Sequence, residues 1–387
     1  MHQGKYVFSQ LCDFLHKRVF DGLVSKYDGN KYVRYFTCWN QLLAMMFGQL
    51  SGRDSLRDLI TSLEPHKSKF HHLGFGTNVT RSNLAKANEQ REPKIFEDFA
   101  NYMIAKARDC RAVKDFFVEG NVFAFDSSTI SLCLNVFWWA QFRQFKSGIK
   151  LHTLYDVKTD IPAFNIITDA KVSDSTVMPL IPYESGSYYI FDRAYMDTRN
   201  LSLINSIGAY FVVREKPATL YEVVKDQDYN NKETGIMADQ TIILTGNKTR
   251  KQYPAPLRRV VFYDMETNRT FIFYTNNMVI SAEHVALLYK YRWRVELFYK
   301  WIKQHLCVKS FWGTTESAVR TQIYIALITY CLVAIIEHEL KLERSTYDIL
   351  RILSISLLDK TPLRELLENR VPDEMCQNDS QLSLNFF

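Results

Sequence analysis

The stretch VFAFDSSTISL, residues 122–132, alternates apolar and polar side chains as a β-strand with one buried face does. Four further runs after it also have the pattern of strands, and the last of them follows a helical segment, DTRNLSLINSIG. The strands are KLHTLYDVK, PAFNIITDAKV, SYYIFDRAY and AYFVVREKP. With a short helix at DSTVMPLIP, the order is three strands, helix, strand, helix, strand. This order predicts a mixed α/β core that begins with an antiparallel section.

Two aspartates directly follow apolar strand residues. Asp126 comes after VFAF, and Asp192 comes after YYIF in the same way. A carboxylate at the end of a buried strand is costly unless it is paired or binds a metal ion. A single aspartate at such a place is often only a turn cap, so each one is a weak signal by itself and the pair is a stronger one.

A third acid lies in LLYKYRWRVELFYKWIK, residues 287–303, where Glu296 is surrounded by aromatic rings and cations. Ser281 as an N-cap and an apolar contact between Ile280 and Val285 predict a helix that starts there and runs for about 26 residues. Spacings of three, four and seven place four polar side chains on one face of this helix: Tyr289, Arg292, Glu296 and Lys303. The alternative interpretation is an exposed helix with Arg292 and Glu296 as a simple ion pair.

Three carboxylates together are the hard oxygen ligands that Mg²⁺ or Mn²⁺ prefers. Two such ions, roughly 3.5–4 Å apart, would activate a water or a 3′-hydroxyl for in-line displacement at phosphorus. Cations around the acids would then hold phosphodiester oxygens. The pattern of Asp126, Asp192 and Glu296 therefore predicts metal-dependent chemistry on nucleic acid.

The composition agrees with this prediction without requiring it. The net charge of +6 and pI near 8.7 suit a polyanionic partner. The seven cysteines are scattered and form no CxxC pair, which indicates a reducing compartment with neither disulfides nor a zinc site. The start MHQGKYVFSQ has no signal-peptide core, and the apolar run 323–336 is shorter than the roughly 18–20 residues that span a bilayer. We expect a soluble cytoplasmic protein in which this run is a buried helix.

The chain divides by pattern into a helical N-terminal domain (1–115), a catalytic core (116–216 and 280–345), an all-β insertion (217–279) and C-terminal helices with a tail (346–387). The segment TRSNLAKANEQR is a helix with either a solvated face or a DNA-recognition face, and its candidate contacts are Arg81, Asn83 and Lys86. The insertion carries a basic cluster that is a solvated rim or a nucleic-acid surface, formed by Lys248, Arg250, Lys251, Arg258 and Arg259.

The sequence resembles the DDE transposases, whose core is ribonuclease H-like. The late helix matches the signature Tyr-x2-Arg-x3-Glu-x6-Lys of the insertion-sequence four (IS4-type) family, and FDSS and FDRAY are similar to its two aspartate contexts. The resemblance covers essentially the whole chain. It implies that Asp126, Asp192 and Glu296 bind the metal. It also implies DNA contacts by Tyr289, Arg292, Trp293, Lys303, Lys150, His152, Arg193 and Arg214, although His152 can equally be a core histidine.

The resemblance further implies a cut-and-paste transposase that acts on terminal inverted repeats and target DNA as a homodimer in the bacterial cytoplasm, associated with the nucleoid and not with a membrane. The alternatives are a nuclease on the same fold that does not join strands, or a DNA-binding relic without activity. Members of this family that cut DNA through a hairpin intermediate stack a flipped base on a Trp of the β insertion. Residues 217–279 of this chain contain no Trp. The aromatic residues there that would replace it are Tyr253, Phe262, Tyr263 and Phe273.

Overall fold

Helices form the first part of the chain. The structure is a computed structural model that describes residues 4–111, 116–132, 137–143, 146–227, 234–306 and 311–368. The N-terminal helices are α1 (Val7–Cys12), α2 (Lys17–Lys26), α3 (Cys38–Leu50), α4 (Leu56–Leu63), α5 (Arg81–Gln90) and α6 (Lys94–Cys110). The side chains of Thr37, Ser55 and Thr80 cap α3, α4 and α5 by accepting a bond from the backbone N–H three residues later. The helix predicted after Thr80 is therefore present.

One mixed sheet follows the helices. Its strands are β1 (Val122–Leu132), β2 (Gln141–Arg143), β3 (Lys146–Asp156), β4 (Ile161–Asp169), β5 (Tyr188–Phe191), β6 (Tyr210–Arg214), β7 (Tyr221–Gln227), β8 (Ile236–Leu244), β9 (Leu257–Asp264) and β10 (Arg269–Thr275). The order across the sheet is β2-β3-β1-β5-β6-β10-β9-β8-β7, and β4 pairs with β3. The predicted α/β fold with an antiparallel start is confirmed, and it agrees with a ribonuclease H-like core.

Parallel pairing in the middle of the sheet joins β1 to β5 and β5 to β6. The loops that precede β1 and β5 touch backbone to backbone, at Gly120 and Gly186. A Cβ on Gly120 would lie 2.3 Å from the carbonyl oxygen of Gly186, and Gly120 has a φ of +77°. Glycine therefore permits the close approach that sets the register of these two strands.

The all-β insertion predicted over 217–279 differs from the structure in two respects. Its strands extend the core sheet, because β10 pairs antiparallel with β6 through Phe273 and Arg214. It also contains a helix, α8 (Asn247–Gln252), where a turn was predicted. The run NKTRKQ has no apolar alternation, no Pro or Gly, and several good helix formers, which explains the helix.

The long helix predicted from Ser281 is interrupted. Ser281 does cap α9 (Ala282–Lys290), but a second helix, α10 (Trp293–His305), begins after a break at Tyr291 and Arg292. Across the break the amides of Arg292, Arg294 and Val295 bond to carbonyls three residues back rather than four. The two helices are therefore separated by a short, tightened turn that contains neither Pro nor Gly.

Hydrophobic cores lie on both faces of the sheet. One core holds Phe125 and Phe191 with α7 (Thr198–Ser206), and the other holds α9, α10 and α11 (Glu316–Glu339). The predicted buried helix is confirmed in α11. It is longer than its apolar run, with 24 residues and a mean hydropathy of 1.8, enough to cross a membrane by length and composition. However, 94% of its apolar window is buried inside the protein, as in the core helix of a soluble protein.

The end of the chain adds α12 (Thr346–Ser356) and α13 (Leu363–Leu367). The tail predicted at the end of the segment 346–387 lies outside the described residues, which end at 368. Four cysteines are free thiols in the part of the chain that the structure describes: Cys12, Cys38, Cys110 and Cys331. The other three, Cys133, Cys307 and Cys376, fall outside it.

Candidate active site

The two strand-end aspartates meet at one edge of the parallel section. β1 pairs with β5 as far as Phe125 and Phe191, and Asp126 and Asp192 are the next residues of the two strands. β1 itself continues to Leu132, paired with β3. Asp126 therefore marks the end of the parallel pairing rather than the end of its strand. Since Phe125 and Phe191 both face one core, alternation directs both aspartates toward the other face of the sheet.

Arg292 links Glu296 to Asp126 by hydrogen bonds. The Arg292 guanidinium donates from Nη1 to Asp126 Oδ2 at 3.2 Å and from Nη2 to Glu296 Oε1 at 2.5 Å. The predicted pair between Arg292 and Glu296 is present, but it is not a surface pair, because only 15% of the Arg292 side chain is exposed.

Burial and neighbouring charges perturb Asp126. Burial above all, with the charges of Glu296 and Asp192, raises the pKa of Asp126 to about 6, although the Ser127 amide and Arg292 act in the opposite direction. The carboxylates of Glu296 and Asp192 therefore both disfavour the charged form of Asp126.

A buried tyrosine fixes α10 to the strands below it. The Tyr299 hydroxyl lies 2.7 Å from the carbonyl oxygen of Asp126 and 2.9 Å from that of Leu151. The contact links the helix that carries Glu296 directly to β1 and β3. Sequence reasoning missed Tyr299, although its spacing of three from Glu296 and its proton-donating tip within an apolar stripe were signals that a buried partner existed.

The chemistry of the acids fits a hard divalent cation, because all three offer carboxylate oxygens. Among the residues that the structure describes, no three His, Cys, Asp or Glu side chains lie close enough to hold an ion together. In this conformation it is the Arg292 guanidinium that bridges Asp126 and Glu296. A shared ion therefore requires Arg292 to move from between them.

An aromatic cavity of about 520 Å³ opens beside the acids, between β9, β10 and α9. Tyr289 stacks at 4.6 Å from Phe273 at its floor, and Arg292 lies over the Tyr289 ring at 5.6 Å. Trp293 is 58% exposed at its rim. Arg214 lies near the same wall, with its guanidinium 4.9 Å from the Phe271 ring. Three predicted DNA contacts, at Tyr289, Arg292 and Trp293, therefore line one cavity, and a fourth, Arg214, contacts the ring of a lining residue.

The remaining predicted contacts near the core have different surroundings. Arg193 is exposed directly after Asp192, and Lys303 donates to the Thr129 carbonyl at 3.1 Å. Lys150 is mostly buried, with its ammonium bonded to Asp174 at 3.0 Å and to the Val172 carbonyl at 2.8 Å.

The prediction that His152 contacts DNA does not agree with the structure. Its side chain is fully buried, and Nε2 lies 2.9 Å from Thr168 Oγ1. Burial lowers the pKa of His152 to about 4, so the ring is neutral at physiological pH. The alternative of a core histidine describes this residue, because DNA cannot reach a side chain packed between the strands and Asp174.

Two basic surfaces lie away from the acids. Arg81, Asn83 and Lys86 are exposed on α5, as both interpretations of that helix required. The cluster predicted on the insertion is divided, because Arg258 is buried in a two-point pair with Asp239 at 2.8 and 2.7 Å. The three cations that remain exposed there lie on α8: Lys248, Arg250 and Lys251.

Comparisons with known proteins agree with this geometry. Residues 119–332, more than half of the chain, match the family model described as a transposase DDE domain, and residues 3–76 match a domain of unknown function, DUF4372. A putative transposase, y4zB, of Sinorhizobium fredii is 35% identical over 55% of this chain and 59% of its own length. A probable transposase for insertion sequence element IS5377 of Geobacillus stearothermophilus is 30% identical over 54% of each chain.

A third relative aligns over more of the chain. The putative transposase for insertion sequence element IS4SA of Synechocystis is 24% identical over 78% of this chain and 86% of its own length. By contrast, the chain spans little more than half the length of the other two relatives. The similarity to those two therefore concerns a part of each protein.

Proposed function

The chain belongs to the family defined by the transposase DDE domain, and from that premise we propose that it is a cut-and-paste DNA transposase. One observation carries the proposal: Asp126 and Asp192 follow paired residues of adjacent parallel strands, and Arg292 joins Glu296 to Asp126. In this arrangement one cation contacts two of the proposed acids, and the third follows the end of the neighbouring parallel strand. The reaction proposed is hydrolysis at the transposon ends followed by joining of the 3′-hydroxyl ends to target DNA.

Members of this family normally use a divalent metal ion, and we propose Mg²⁺, with Mn²⁺ as a substitute. Asp126, Asp192 and Glu296 would hold it. Once bound, the ion supplies charge stabilisation at the phosphodiester oxygens and a more acidic water or hydroxyl. Arg292, when it leaves the acids, has a planar pair of donors suited to a phosphate. Tyr289, Lys303 and Arg193 border the same surface and would orient the DNA backbone.

The spacing of Tyr289, Arg292, Glu296 and Lys303 supports membership of the IS4-type group, as does the name of the Synechocystis relative. The aromatic cavity supports a site for an unpaired base, which a hairpin step needs. Phe262 and Phe273 line that cavity with Tyr289 and Trp293, whereas Tyr253 is buried elsewhere and is not available for stacking.

The partners and organisation follow from the same proposal. Terminal inverted repeats and target DNA would be bound, with the helical N-terminal region 1–115 on the repeats and the core segments 116–216 and 280–345 on the cleavage site. Two protomers would act together, because both ends must be cut and joined in one assembly. The C-terminal helices of 346–387 are proposed for that contact, and the bacterial cytoplasm, at the nucleoid, is the proposed location.

A cleavage and strand-transfer assay tests the proposal. The substrate is labelled duplex DNA from the borders of the gene, incubated with Mg²⁺ or Mn²⁺, and wild type is compared with Asp126→Asn. The matched control is Asp169→Asn, which removes another strand-end carboxylate of the same sheet, at the end of β4. We expect cut and joined products from wild type and the control, and none from Asp126→Asn.

Other outcomes point to different functions. Cutting without joining indicates a nuclease on the same fold. Binding without any metal-dependent cutting indicates a DNA-binding relic. Equal activity of Asp126→Asn and wild type would remove Asp126, and with it the proposed site, from the reaction.

A further inference from the structure

A groove in the N-terminal helical region lies between residues 27–36 and α5. It has a volume of about 550 Å³, and we call it the loop–helix groove. The loop contributes Lys31, Tyr32, Arg34 and Tyr35, and α5 contributes Asn83, Lys86 and Gln90. The spacing of three and four residues between Asn83, Lys86 and Gln90 puts them on one face of the helix.

The groove is held rigid from below. Arg91, just after α5, donates to the carbonyls of Phe36 and Thr37 and to Gln41 Oε1, the last two at 3.0 and 2.8 Å. Asn30 Oδ1 accepts the Cys38 amide at 2.8 Å. These bonds attach both ends of the loop segment to α3 and α5. The loop and the helix therefore form one preorganised surface, which reduces the entropy lost when a ligand binds.

The exposed end of the loop is strained. Tyr32 has a φ of +61°, in the left-handed region that non-glycine residues rarely adopt, and Asp28 has a φ of +52°. The Tyr32 side chain is 95% exposed and that of Tyr35 is 74% exposed. Burial of the Tyr32 side chain therefore contributes no stabilisation that would offset the cost of this backbone conformation. Strain without packing is typical of residues positioned for a ligand.

The charge of the groove favours an anion. Lys31, Arg34, Lys86 and Arg91 line it, against the carboxylates of Asp28 and Glu92. Asp28 already pairs with Lys31 at 3.4 Å, whereas Arg34 and Lys86 are exposed. Arg, Lys and Tyr side chains commonly contact DNA phosphates, and Asn and Gln can read base edges in the major groove.

We propose that the loop–helix groove binds duplex DNA of the element's ends, separately from the acids that cut it. Arg34, Tyr32 and Tyr35 contact the phosphate backbone, and α5 turns Asn83, Lys86 and Gln90 toward the base edges. The inference rests on the proposed function, which supplies DNA as the partner. It assigns a role to a region that overlaps the match to a domain of unknown function (residues 3–76) and extends beyond it through α5.

The test measures binding of the full chain to labelled duplex DNA from the borders of the gene, with a chelator present so that nothing is cut. Arg34→Gln is compared with Arg18→Gln, which removes the same charge from an exposed position of α2 outside the groove. We expect Arg34→Gln to weaken binding about tenfold and to reduce the slope of log affinity against log salt by about one. Arg18→Gln should change affinity by less than about twofold.

A second comparison isolates the exposed ring. Tyr32→Gly suits the left-handed backbone, so its unfolding temperature should equal or exceed that of wild type. Its DNA affinity should nevertheless fall about threefold to tenfold, because the tyrosine contact is lost. Lys341→Gly, at another exposed left-handed position with a φ of +52°, is the control that should keep full affinity.

Equal affinities of Arg34→Gln and Arg18→Gln would overturn the proposal. A change in oligomeric mass by light scattering for Arg34→Gln, with unchanged DNA affinity, would assign the groove to a second copy of the chain and also overturn it. The cleavage assay separates this inference from the proposed function. Loss of binding in Arg34→Gln, combined with no metal-dependent cutting by wild type, would keep the groove and reject the transposase.

Discussion

Arg292 resolves an electrostatic conflict at the level of single residues. Three carboxylates gathered in a partly buried place repel each other, and burial already raises the pKa of Asp126 to about 6. The guanidinium of Arg292 touches Asp126 and Glu296 together, and its planar fork allows both contacts at once. Arg292 is therefore the cation that offsets the repulsion between Asp126 and Glu296.

The first prediction concerns Asp126→Asn and pH. Because the pKa of Asp126 is raised in the folded protein, the folded state binds this proton more tightly than the unfolded chain. The free energy of unfolding of wild type should therefore fall as the pH rises from about 4 to about 6. Without divalent ions, Asp126→Asn should be more stable than wild type above this window by about 1–3 kcal/mol, and the difference should vanish below it.

Urea unfolding with a chelator, at several pH values from 4 to 8, measures this difference. Asp21→Asn changes an exposed carboxylate of α2 and should show no comparable pH-dependent gain. A constant stability difference between wild type and Asp126→Asn across the whole range would contradict the raised pKa of Asp126.

The second prediction concerns Tyr299→Phe. The hydroxyl of Tyr299 holds α10 to the carbonyl of Asp126, so its loss should cost about 1 kcal/mol and loosen the position of Glu296 relative to Asp126. We expect the affinity for Mn²⁺ to fall several-fold, as for other groups that orient metal ligands. Isothermal calorimetry with Mn²⁺ measures the affinity.

Tyr330→Phe provides the control for Tyr299→Phe. Its hydroxyl also bonds to a backbone carbonyl, that of Asp160 at 3.0 Å, but it does not touch the acids. Both variants should lose similar stability, and Tyr299→Phe alone should bind Mn²⁺ more weakly. Equal Mn²⁺ affinity in the two variants would reduce Tyr299 to a purely structural residue.

At the scale of elements, the break between α9 and α10 lies at the residue that joins two of the acids. Arg292 contacts both Glu296, four residues further on, and Asp126 of β1. Tyr289, before the break, packs against Phe273 of β10. Of the signature residues, Tyr289 on α9 therefore lies at the cavity, whereas Glu296 on α10 lies with the acids.

The third prediction follows from this division. Arg292→Ala should weaken binding to border DNA and make the salt dependence shallower by about one, because one phosphate contact is lost. Arg294→Ala is the neighbouring control, since its guanidinium pairs with Asp160 at 2.9 Å and bonds to the Val157 carbonyl, away from the acids. Fluorescence anisotropy at several salt concentrations measures both variants. An unchanged slope for Arg292→Ala would count against the phosphate contact.

Prediction from sequence succeeded where the determining interactions are local. Strand alternation around Asp126, the apolar run before Asp192 and the caps at Thr80 and Ser281 depend on neighbours in the chain. The contact of Arg292 with Asp126 was missed because the two residues are 166 positions apart in the chain. The pairing of β10 with β6 was missed for the same reason, since the sequence of either strand does not show which distant strand it pairs with.

At the scale of the whole molecule, the N-terminal helices and the sheet share one hydrophobic core through α11. Gln49 of α3 donates to the Gln322 carbonyl at 3.0 Å and accepts from Thr329 Oγ1 at 3.0 Å, and all three residues are buried. Polar groups of this kind are costly to leave without partners. DNA bound on the N-terminal helices would therefore act on the same folding unit as the acids.

The fourth prediction tests whether the N-terminal helices and the sheet unfold as one unit. Gln49→Ala should lower the free energy of unfolding by about 1–3 kcal/mol, because it removes both buried hydrogen bonds of the Gln49 amide to α11 and opens a small cavity, although the Thr329 hydroxyl keeps the Ile325 carbonyl as an acceptor. Since the core is shared, hydrogen exchange should accelerate by the same factor in α3, α11 and β1. Mass spectrometry of exchanged peptides measures the three elements in one experiment, and Ser25→Ala, on the exposed end of α2, is the control. Faster exchange confined to α3 would show instead that the N-terminal helices unfold as a separate unit.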